Sequence, residues 1–373
     1  MSSSKGRALV TGGAGLVGSH LVDLLIEKGY EVTLLDNLES ETHPQGRPRW
    51  INAQADFVQG DVRNISDLTR ALKGVRLVFH QAAFGGFTEE ASKYIEVNVS
   101  GTAKIFEVLS KGKFKVEKVV VASSQAVYGE GAYECTRDGE AFPLLRSFKQ
   151  LEKRQWEPLC PKCGRSLKPI LTCEEKRRDA TTSYALSKEF EERLALSQGE
   201  KLGIPVVALR YGVTYGPRQS VFNPYTGVVS IFSTRLLNGL PPLVYEDGKQ
   251  TRDLIYVEDV AKANLFVMQT EEANGRVFNV GTGKATPISE LARTLASLYK
   301  KSIEPEISSQ FRPGDVRHIL LDSSKLRRLG FVANTSLKQG LQHFAEWIKS
   351  QGRIDEYFTQ AHQTLKEKRV VYG

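Results

Sequence analysis

Apolar residues in the first two hundred positions switch repeatedly between two patterns. Short β-branched runs at 7–11, 31–36, 57–58, 77–79, 119–121 and 206–209 read as strands, and the stretches 16–28, 65–72, 91–110 and 184–202 carry apolar residues at helical intervals. The strand runs are nearly continuous rather than alternating, which suits strands covered on both faces. The βαβα order therefore predicts a doubly wound α/β fold, a parallel sheet with helices on either side. After 213 the pattern is mixed and broken by Gly216-Pro217, Pro241-Pro242 and Arg312-Pro313-Gly314. We expect 1–212 and 251–286 to build the sheet domain, and 213–250 with 287–373 to form a smaller lobe over the carboxyl edge of the strands, where such folds bind ligands. The polar span at about 133–182 fits neither pattern and is expected to be an insertion.

At 373 residues, with 40% hydrophobic and 25% charged positions, the chain has the make-up of a globular protein with a substantial core. No apolar run approaches the roughly 20 residues that cross a bilayer, and the first residues carry no secretory h-region, so a cytoplasmic, membrane-free protein is expected. The net charge of +8 raises the question of nucleic acid. Ten Lys and Arg against four Glu between 146 and 178 account for most of it. No aromatic-basic interleaving accompanies them, so no nucleic-acid partner is expected.

The first strand leads into Thr11-Gly12-Gly13-Ala14-Gly15-Leu16-Val17-Gly18, where Gly12, Gly15 and Gly18 are spaced G-x-x-G-x-x-G at a strand-to-helix turn. Glycine suits that turn because a side chain would block a pyrophosphate from the helix N-terminus; a plain structural turn is the competing reading. Asp36 ends the second strand where a carboxylate can hold a ribose 2′-hydroxyl and would repel a 2′-phosphate, favouring NAD over NADP. Asp61-Val62 and Gln81-Ala82-Ala83 follow the third and fourth strands on the same edge, with a strand-end cap and simple packing as their plainer roles. Tyr184 and Lys188, in Y-A-L-S-K, are four apart and share one helix face. A free phenol, with pKa about 10, is a poor base at neutral pH, but an ammonium and a cationic nicotinamide ring stabilise its anion. Together with Ser124 they point to redox chemistry on a hydroxyl or carbonyl.

The pieces T-G-G-A-G-L-V-G-S-H at 11–20, D-N at 36–37, G-D-V at 60–62, H-Q-A-A at 80–83, N-V-S-G-T at 98–102 and S-S-Q-A-V-Y-G at 123–129 occur in that order. Y-A-L-S-K, R-Y-G-V-T-Y-G-P-R at 210–218, T-R-D-L-I-Y-V-E-D-V-A at 251–261 and R-P-G-D at 312–315 follow. With them the chain resembles the extended short-chain dehydrogenases/reductases of the NAD-dependent sugar-nucleotide epimerase group. The resemblance implies a Rossmann NAD-binding domain, Tyr184 as base, Lys188 as its partner and ribose contact, and Ser124, rather than Ser123, as donor to the substrate oxygen. It implies cofactor contacts at Asn37, Asn98 and Tyr211 besides the residues above. Arg252 and Arg312 would hold a nucleotide diphosphate, with Gln125, Asn223 and Asp315 as further substrate contacts. A homodimer through the helices at 91–110 and 184–202 is implied as well. Gly212-Val213 departs from the family, which has a bulky residue and often Asn there. His20 and His80 are expected to be structural.

Family members that eliminate water carry an Asp-Glu pair after the catalytic hydroxyl, and the decarboxylases usually keep the glutamate; here Gln125-Ala126 stand in those places. Losing a general acid or base costs about 100-fold or more. The resemblance thus implies inversion at C4 of a nucleotide sugar through a transient 4-keto species. An NAD-dependent nucleotide-sugar dehydrogenase or reductase is the alternative. A non-catalytic NAD-binding or RNA-associated relative would be expected to lack Ser, Tyr or Lys, and all three are present.

All four cysteines lie in the insertion. Cys160-Pro-Lys-Cys163-Gly is a C-x-x-C knuckle, and Cys135 and Cys173 are expected to complete a structural four-thiolate zinc site, with free thiols or a redox pair as alternatives. This insertion, with G-P-R-Q-S at 216–220 and N-P-Y-T-G-V at 223–228, is similar to those of bacterial dTDP-L-rhamnose 4-epimerase-like proteins, which implies a dTDP-6-deoxyhexose or related nucleotide sugar.

Overall fold

Seven parallel strands form the central sheet of the computed structural model, which describes residues 5–85, 90–221 and 227–373. In chain order they are Arg7–Thr11, Glu31–Asp36, Asp56–Gln59, Val75–His80, Lys118–Ser124, Val206–Tyr211 and Val277–Val280. In space the first strand lies between the second and the fourth, so the strand order reverses there and opens a crevice at their carboxyl ends. Side chains alternate across the sheet and feed two cores. Ala8, Val10, Phe79, Val120 and Leu209 pack on one face with the helices Leu16–Glu27 and Val257–Gln269. Leu9, Val78, Val119, Val121 and Ala208 pack on the other with Ile65–Ala71, Gly101–Ser110 and Ser183–Leu202. Burial on both faces is what removed the period-two signal from the sequence.

The helix expected over 91–110 is interrupted. Ala91–Tyr94 passes into a π-helical turn, Ile95–Ser100, before Gly101–Ser110 resumes the α-helix. Asn98 is fully buried within that wider turn, a kind of irregularity that recurs at functional sites.

Over the carboxyl edge, the helices Val228–Leu237, Ile288–Leu298 and Leu337–Ser350 enclose a third core around Tyr215, Phe232, Leu291, Leu295 and Phe344. The strand Thr251–Tyr256, expected with the sheet domain, lies outside the seven-stranded sheet and pairs instead with Val213–Tyr215, Ala285–Pro287 and His318–Ile319 beside the second lobe. It passes close to Gly212, where a Cβ would stand 2.9 Å from the Asp253 carbonyl oxygen, and this accounts for the missing bulk at that position. The insertion folds as a small antiparallel sheet of Ala132–Cys135, Gly139–Ala141 and Lys168–Ile170 around Tyr133, Cys135, Ala141, Cys160 and Leu167, while its Leu151 and Trp156 pack separately on Phe311. Among the described residues, no helix is long and apolar enough to cross a membrane.

Candidate active site

The glycine turn sits at the crevice. Gly12 has φ +66° and approaches the Gln81-Ala82 backbone so closely that a Cβ would lie 2.7 Å from Ala82, while a Cβ on Gly18 would collide with the Gly12 carbonyl. Helix Leu16–Glu27 starts from Gly15, which offers no side-chain cap, and has no acidic residue in its first turn. Its first N–H groups and the positive end of its dipole are left for an anion. At the end of the second strand, Asp36 is fixed by Ala14 N–H and Leu38 N–H, which donate to its two oxygens at 2.9 Å. Against the upward push of burial, hydrogen bonds from Arg63 and Asn37 hold Asp61 below the usual carboxylate range; Asn37 Nδ2 donates to it at 3.0 Å. Val62 is buried against Gly101.

Beyond Thr11, the end of the fourth strand is tied by Ala82 N–H donating to Thr11 Oγ1 at 3.2 Å, and exposed Ala83 follows. Gln81 Oε1 accepts from Tyr211 Oη at 3.0 Å, and Gln81 Nε2 donates to Asn264 Oδ1 at 3.0 Å. Burial pushes the Tyr211 phenol up, so it remains a neutral donor in this triangle. Asn264, which carried no signal in the sequence, is its third corner. Asn98 accepts from Phe84 N–H at 2.7 Å and donates to Phe84 O at 3.0 Å and Ser187 Oγ at 2.8 Å. It thus pins the loop after the fourth strand to the helix that carries Tyr184.

Ser124 closes the fifth strand and caps the short turn Gln125–Tyr128, its Oγ accepting from Ala126 N–H at 3.1 Å. Its own proton is left to donate. Ser123 points to the other face of the pleat, where it donates to Glu192 Oε2 at 2.7 Å. Glu192 is further held by Arg210 at 2.7 Å and Arg178 at 3.1 Å. Gln125 Oε1 is buried with no hydrogen-bond partner among the described residues. Tyr184, half-buried, begins the helix Ser183–Leu202, whose cap Thr182 accepts from Ala185 N–H at 3.2 Å, and its ring meets Tyr94 edge-on at 6.3 Å. One turn on, Lys188 is 1% exposed. Its Nζ lies 2.5 Å from Glu191 Oε2. Burial pushes Glu191 up to about 7 despite that lysine. His80 sits below, pushed down to about 3 by burial and then by Lys188. It bonds Thr11 Oγ1 at 2.7 Å and Thr102 Oγ1 at 2.9 Å, a structural neutral imidazole. His20 is pushed down to about 4 by burial and then by Arg218, and it bonds the Leu16 carbonyl.

A charged wall faces this edge from the second lobe. Half-buried Arg252 donates to the carbonyls of Thr251 at 2.8 Å and Arg317 at 3.2 Å, and burial pushes its guanidinium down. Arg312 is oriented by Asp315 at 2.9 Å. Two arginines not singled out in the sequence complete the wall. Arg146, from the insertion, donates to Glu246 at 2.8 Å and to the Asp315 carbonyl at 2.9 Å. Arg317, fully buried, reaches Glu157 at 2.6 Å, Asp247 at 2.7 Å and Glu246 at 2.8 Å. Asn223 lies outside the described residues.

The cysteine expectation needs one correction. Cys135, Cys160 and Cys163 converge, but the fourth group beside them is Asp138, and Cys173 does not join. The next-door Thr172 is drawn to the second lobe, its N–H donating to Leu320 O at 2.7 Å and its carbonyl accepting from Asp322 N–H at 3.0 Å. That pairing carries Cys173 away from the knuckle.

The model of the NAD dependent epimerase/dehydratase family matches residues 8–149 and 163–281, with its break inside the insertion. The chain is 33% identical over 349 residues to the dTDP-L-rhamnose 4-epimerase of Burkholderia thailandensis, covering 92% of this chain and 94% of that protein. The fold is similar to the UDP-glucose 4-epimerase of Thermotoga maritima with UDP-glucose, with a TM-score of 0.76, 29% identity, and coverage of 93% and 100%. The Thermus thermophilus UDP-glucose 4-epimerase complex with NAD superposes with a TM-score of 0.72 at 30% identity, again covering 93% and 100%.

Proposed function

The chain belongs to the NAD dependent epimerase/dehydratase family, and on that premise we propose that it is an NAD-dependent nucleotide-sugar 4-epimerase. The observation that carries the choice of reaction is the residue pair after Ser124. Gln125 and Ala126 supply neither acid nor base there, and the nearby carboxylates are committed elsewhere, Glu192 to Arg210 and Ser123, Glu191 to Lys188. Oxidation and re-reduction at one carbon require only a proton carrier and a hydride carrier; elimination and decarboxylation require more.

The residues fit NAD. The uncapped helix start at Leu16, Val17 and Gly18 with the Gly12 and Gly15 turn suits its pyrophosphate, Asp36 with Asn37 a ribose, Asp61-Val62 the adenine side, and Gln81, Ala82, Ala83, Asn98, Tyr211 and Lys188 the path to the nicotinamide. When bound, NAD supplies the hydride acceptor and donor. Tyr184 takes the proton of the sugar C4 hydroxyl, Lys188 stabilises the phenolate, and Ser124 donates to the oxygen that becomes the ketone. After the 4-keto sugar turns over, Tyr184 returns the proton. Gln125 Oε1, without a partner among the described residues, is an acceptor for a sugar hydroxyl. Arg252, oriented by carbonyls rather than by a carboxylate, and Arg312, set by Asp315, suit the diphosphate, with Asn223 as a further contact.

A dTDP- or UDP-linked hexose, with a 6-deoxy sugar first in line, is the substrate class this reading favours. A homodimer belongs to it as well, supported by Ile95, Leu186 and Phe190, which expose 44%, 38% and 52% on the two helices concerned. Cytoplasmic residence is supported by four unpaired cysteines, which suit a reducing compartment. A structural zinc in the insertion completes it. The deciding experiment is NMR of the purified protein with a panel of dTDP-, UDP- and GDP-sugars and no added cofactor. Inversion at a ring carbon is expected; stoichiometric NADH, or no conversion across the panel by NAD-loaded protein, would sink the assignment.

A further inference from the structure

Two tight turns meet at the tip of the insertion. One is the hairpin between Ala132–Cys135 and Gly139–Ala141, reading Cys135-Thr-Arg-Asp138, with Cys135 paired to Gly139 across it. The other is Cys160-Pro-Lys-Cys163-Gly164, closed by Cys160 N–H to Arg165 O and Gly164 N–H to Cys160 O, both 2.8 Å, with Gly164 at φ +71° turning the chain back. Each turn offers two ligand residues with two residues between them, so the pattern is C-x-x-D facing C-x-x-C, the frame of a zinc ribbon with one thiolate replaced by a carboxylate.

The four ligand atoms all lie within 4.8 Å of one another. Cys135 Sγ is 3.5 Å from Cys163 Sγ and 3.6 Å from Asp138 Oδ2, and Cys160 Sγ is 3.3 Å from the same oxygen. Tetrahedral zinc with ordinary bond lengths sets its ligands about 3.8 Å apart for two sulfurs and about 3.5 Å for sulfur and oxygen. These three separations are close to the edges of such a tetrahedron, and the 4.8 Å bound on the others leaves them a small inward adjustment to make on a metal. Backbone N–H groups of Arg137 and Asp138 point at Cys135 Sγ, and that of Arg165 at Cys163 Sγ, the donors that thiolate ligands accept. Cys135 and Cys160 are 2% and 3% exposed, so the centre is closed off from solvent on that side. The small sheet's own buried cluster comprises five residues, two of them these cysteines, so a metal would add substantially to what holds the two turns together.

We infer that Cys135, Asp138, Cys160 and Cys163 bind one zinc ion in a closed tetrahedral site, and that this ion holds the insertion against the charged wall of the substrate crevice. The mechanical link is short. Glu157 lies three residues before Cys160 and accepts from Arg317 at 2.6 Å and pairs with His318 Nε2 at 3.0 Å. Next to it, the Trp156 carbonyl accepts from Arg146 at 3.0 Å. Arg146 and Arg317 in turn frame Arg252, Arg312 and Asp315. With four protein ligands and no open position, the metal takes no part in catalysis. The second half of the inference rests on the epimerase reading; the first half does not.

The test uses the full-length protein purified without chelator and, in parallel, protein reconstituted with zinc sulfate. Metal analysis is expected to give one zinc per chain, retained in Cys173→Ser and Asp138→Cys and lost in Asp138→Ala and Cys163→Ser. Cobalt substitution should give the intense visible bands of a tetrahedral site with thiolate charge transfer. No stoichiometric zinc after reconstitution, or zinc lost from Cys173→Ser and kept by Asp138→Ala, overturns the ligand set. These readouts need no turnover, so they stand even if the protein is not an epimerase. For the second half, Asp138→Ala is expected to raise KM for the sugar nucleotide about tenfold, the effect of losing one charge-assisted hydrogen bond, while NAD content stays at the wild-type level. An unchanged KM in a zinc-free, folded variant overturns the bracing role alone.

Discussion

Glu191 is a carboxyl with an unusual neighbourhood, packed under the catalytic-edge lysine with Glu192 beside it and His80 3.8 Å away. Burial pushes it from 4.5 up to about 7, so between those pH values the folded chain keeps a proton that the unfolded chain has lost. Its contribution to stability is then fully present below about 4.5 and declines as pH rises through 7, by up to about 3 kcal/mol. In Glu191→Gln this component should be absent. Urea unfolding of both proteins from pH 5 to pH 8 should show the variant gaining on the wild type as pH rises; parallel curves would mean that the carboxylate is ionised throughout. Tyr184→Phe tests the neighbouring turn of the same helix. Turnover is expected to fall about 100- to 10,000-fold with bound NAD and melting temperature unchanged, because only the proton carrier is lost.

On the scale of elements, the strand-to-helix turn can be separated from general stability. Gly18→Ala should lower stability by about 1–3 kcal/mol and yield protein without NAD, since the new methyl meets the Gly12 carbonyl and only backbone can give way. Gly29, at φ +85° with nothing near its missing side chain, is the control: alanine there strains one residue and should leave NAD content intact. NAD-replete Gly18→Ala would contradict the role given to the turn. This element was readable in the sequence because its glycines are forced by local geometry, as the flanking strands were by continuous apolar runs. The preference for Ser124 over Ser123 came from a family pattern and acquires its physical reason only in the pleat, which turns one hydroxyl out and the other onto Glu192. The π-turn at Ile95–Ser100 was not readable, because it depends on Asn98 finding Phe84 and Ser187 across the fold. Asp138 was missed for a related reason. An aspartate in a hairpin is ordinary turn chemistry until another segment brings three thiols to it.

For the molecule as a whole, the positive charge concentrated in 146–178 proves to face partly inward. Arg146 enters the substrate wall, Lys176 donates to the Tyr128 carbonyl, and Arg178 pairs with Glu189 and Glu192. Arg317 is where the parts meet. Its guanidinium joins Glu157 of the insertion to Glu246 and Asp247 of the second lobe, while its N–H donates to Glu130 just after the sheet's fifth strand and turn. None of these partners is near in sequence, so the residue gave no local signal. Removing a buried charge from such a cluster leaves its carboxylates uncompensated, and Arg317→Ala is expected to cost about 3–5 kcal/mol. Arg317→Lys should recover little of that, since one ammonium cannot present the guanidinium's forked donors to three carboxylates at once. Thermal unfolding checks both substitutions, and limited proteolysis locates the damage. Cleavage should appear first in the insertion, whose hold on the wall runs through Glu157, while the glycine turn and NAD content survive. A lysine variant as stable as the wild type would show that the cluster needs only a positive charge, and not the geometry that makes Arg317 the joint between insertion, lobe and sheet.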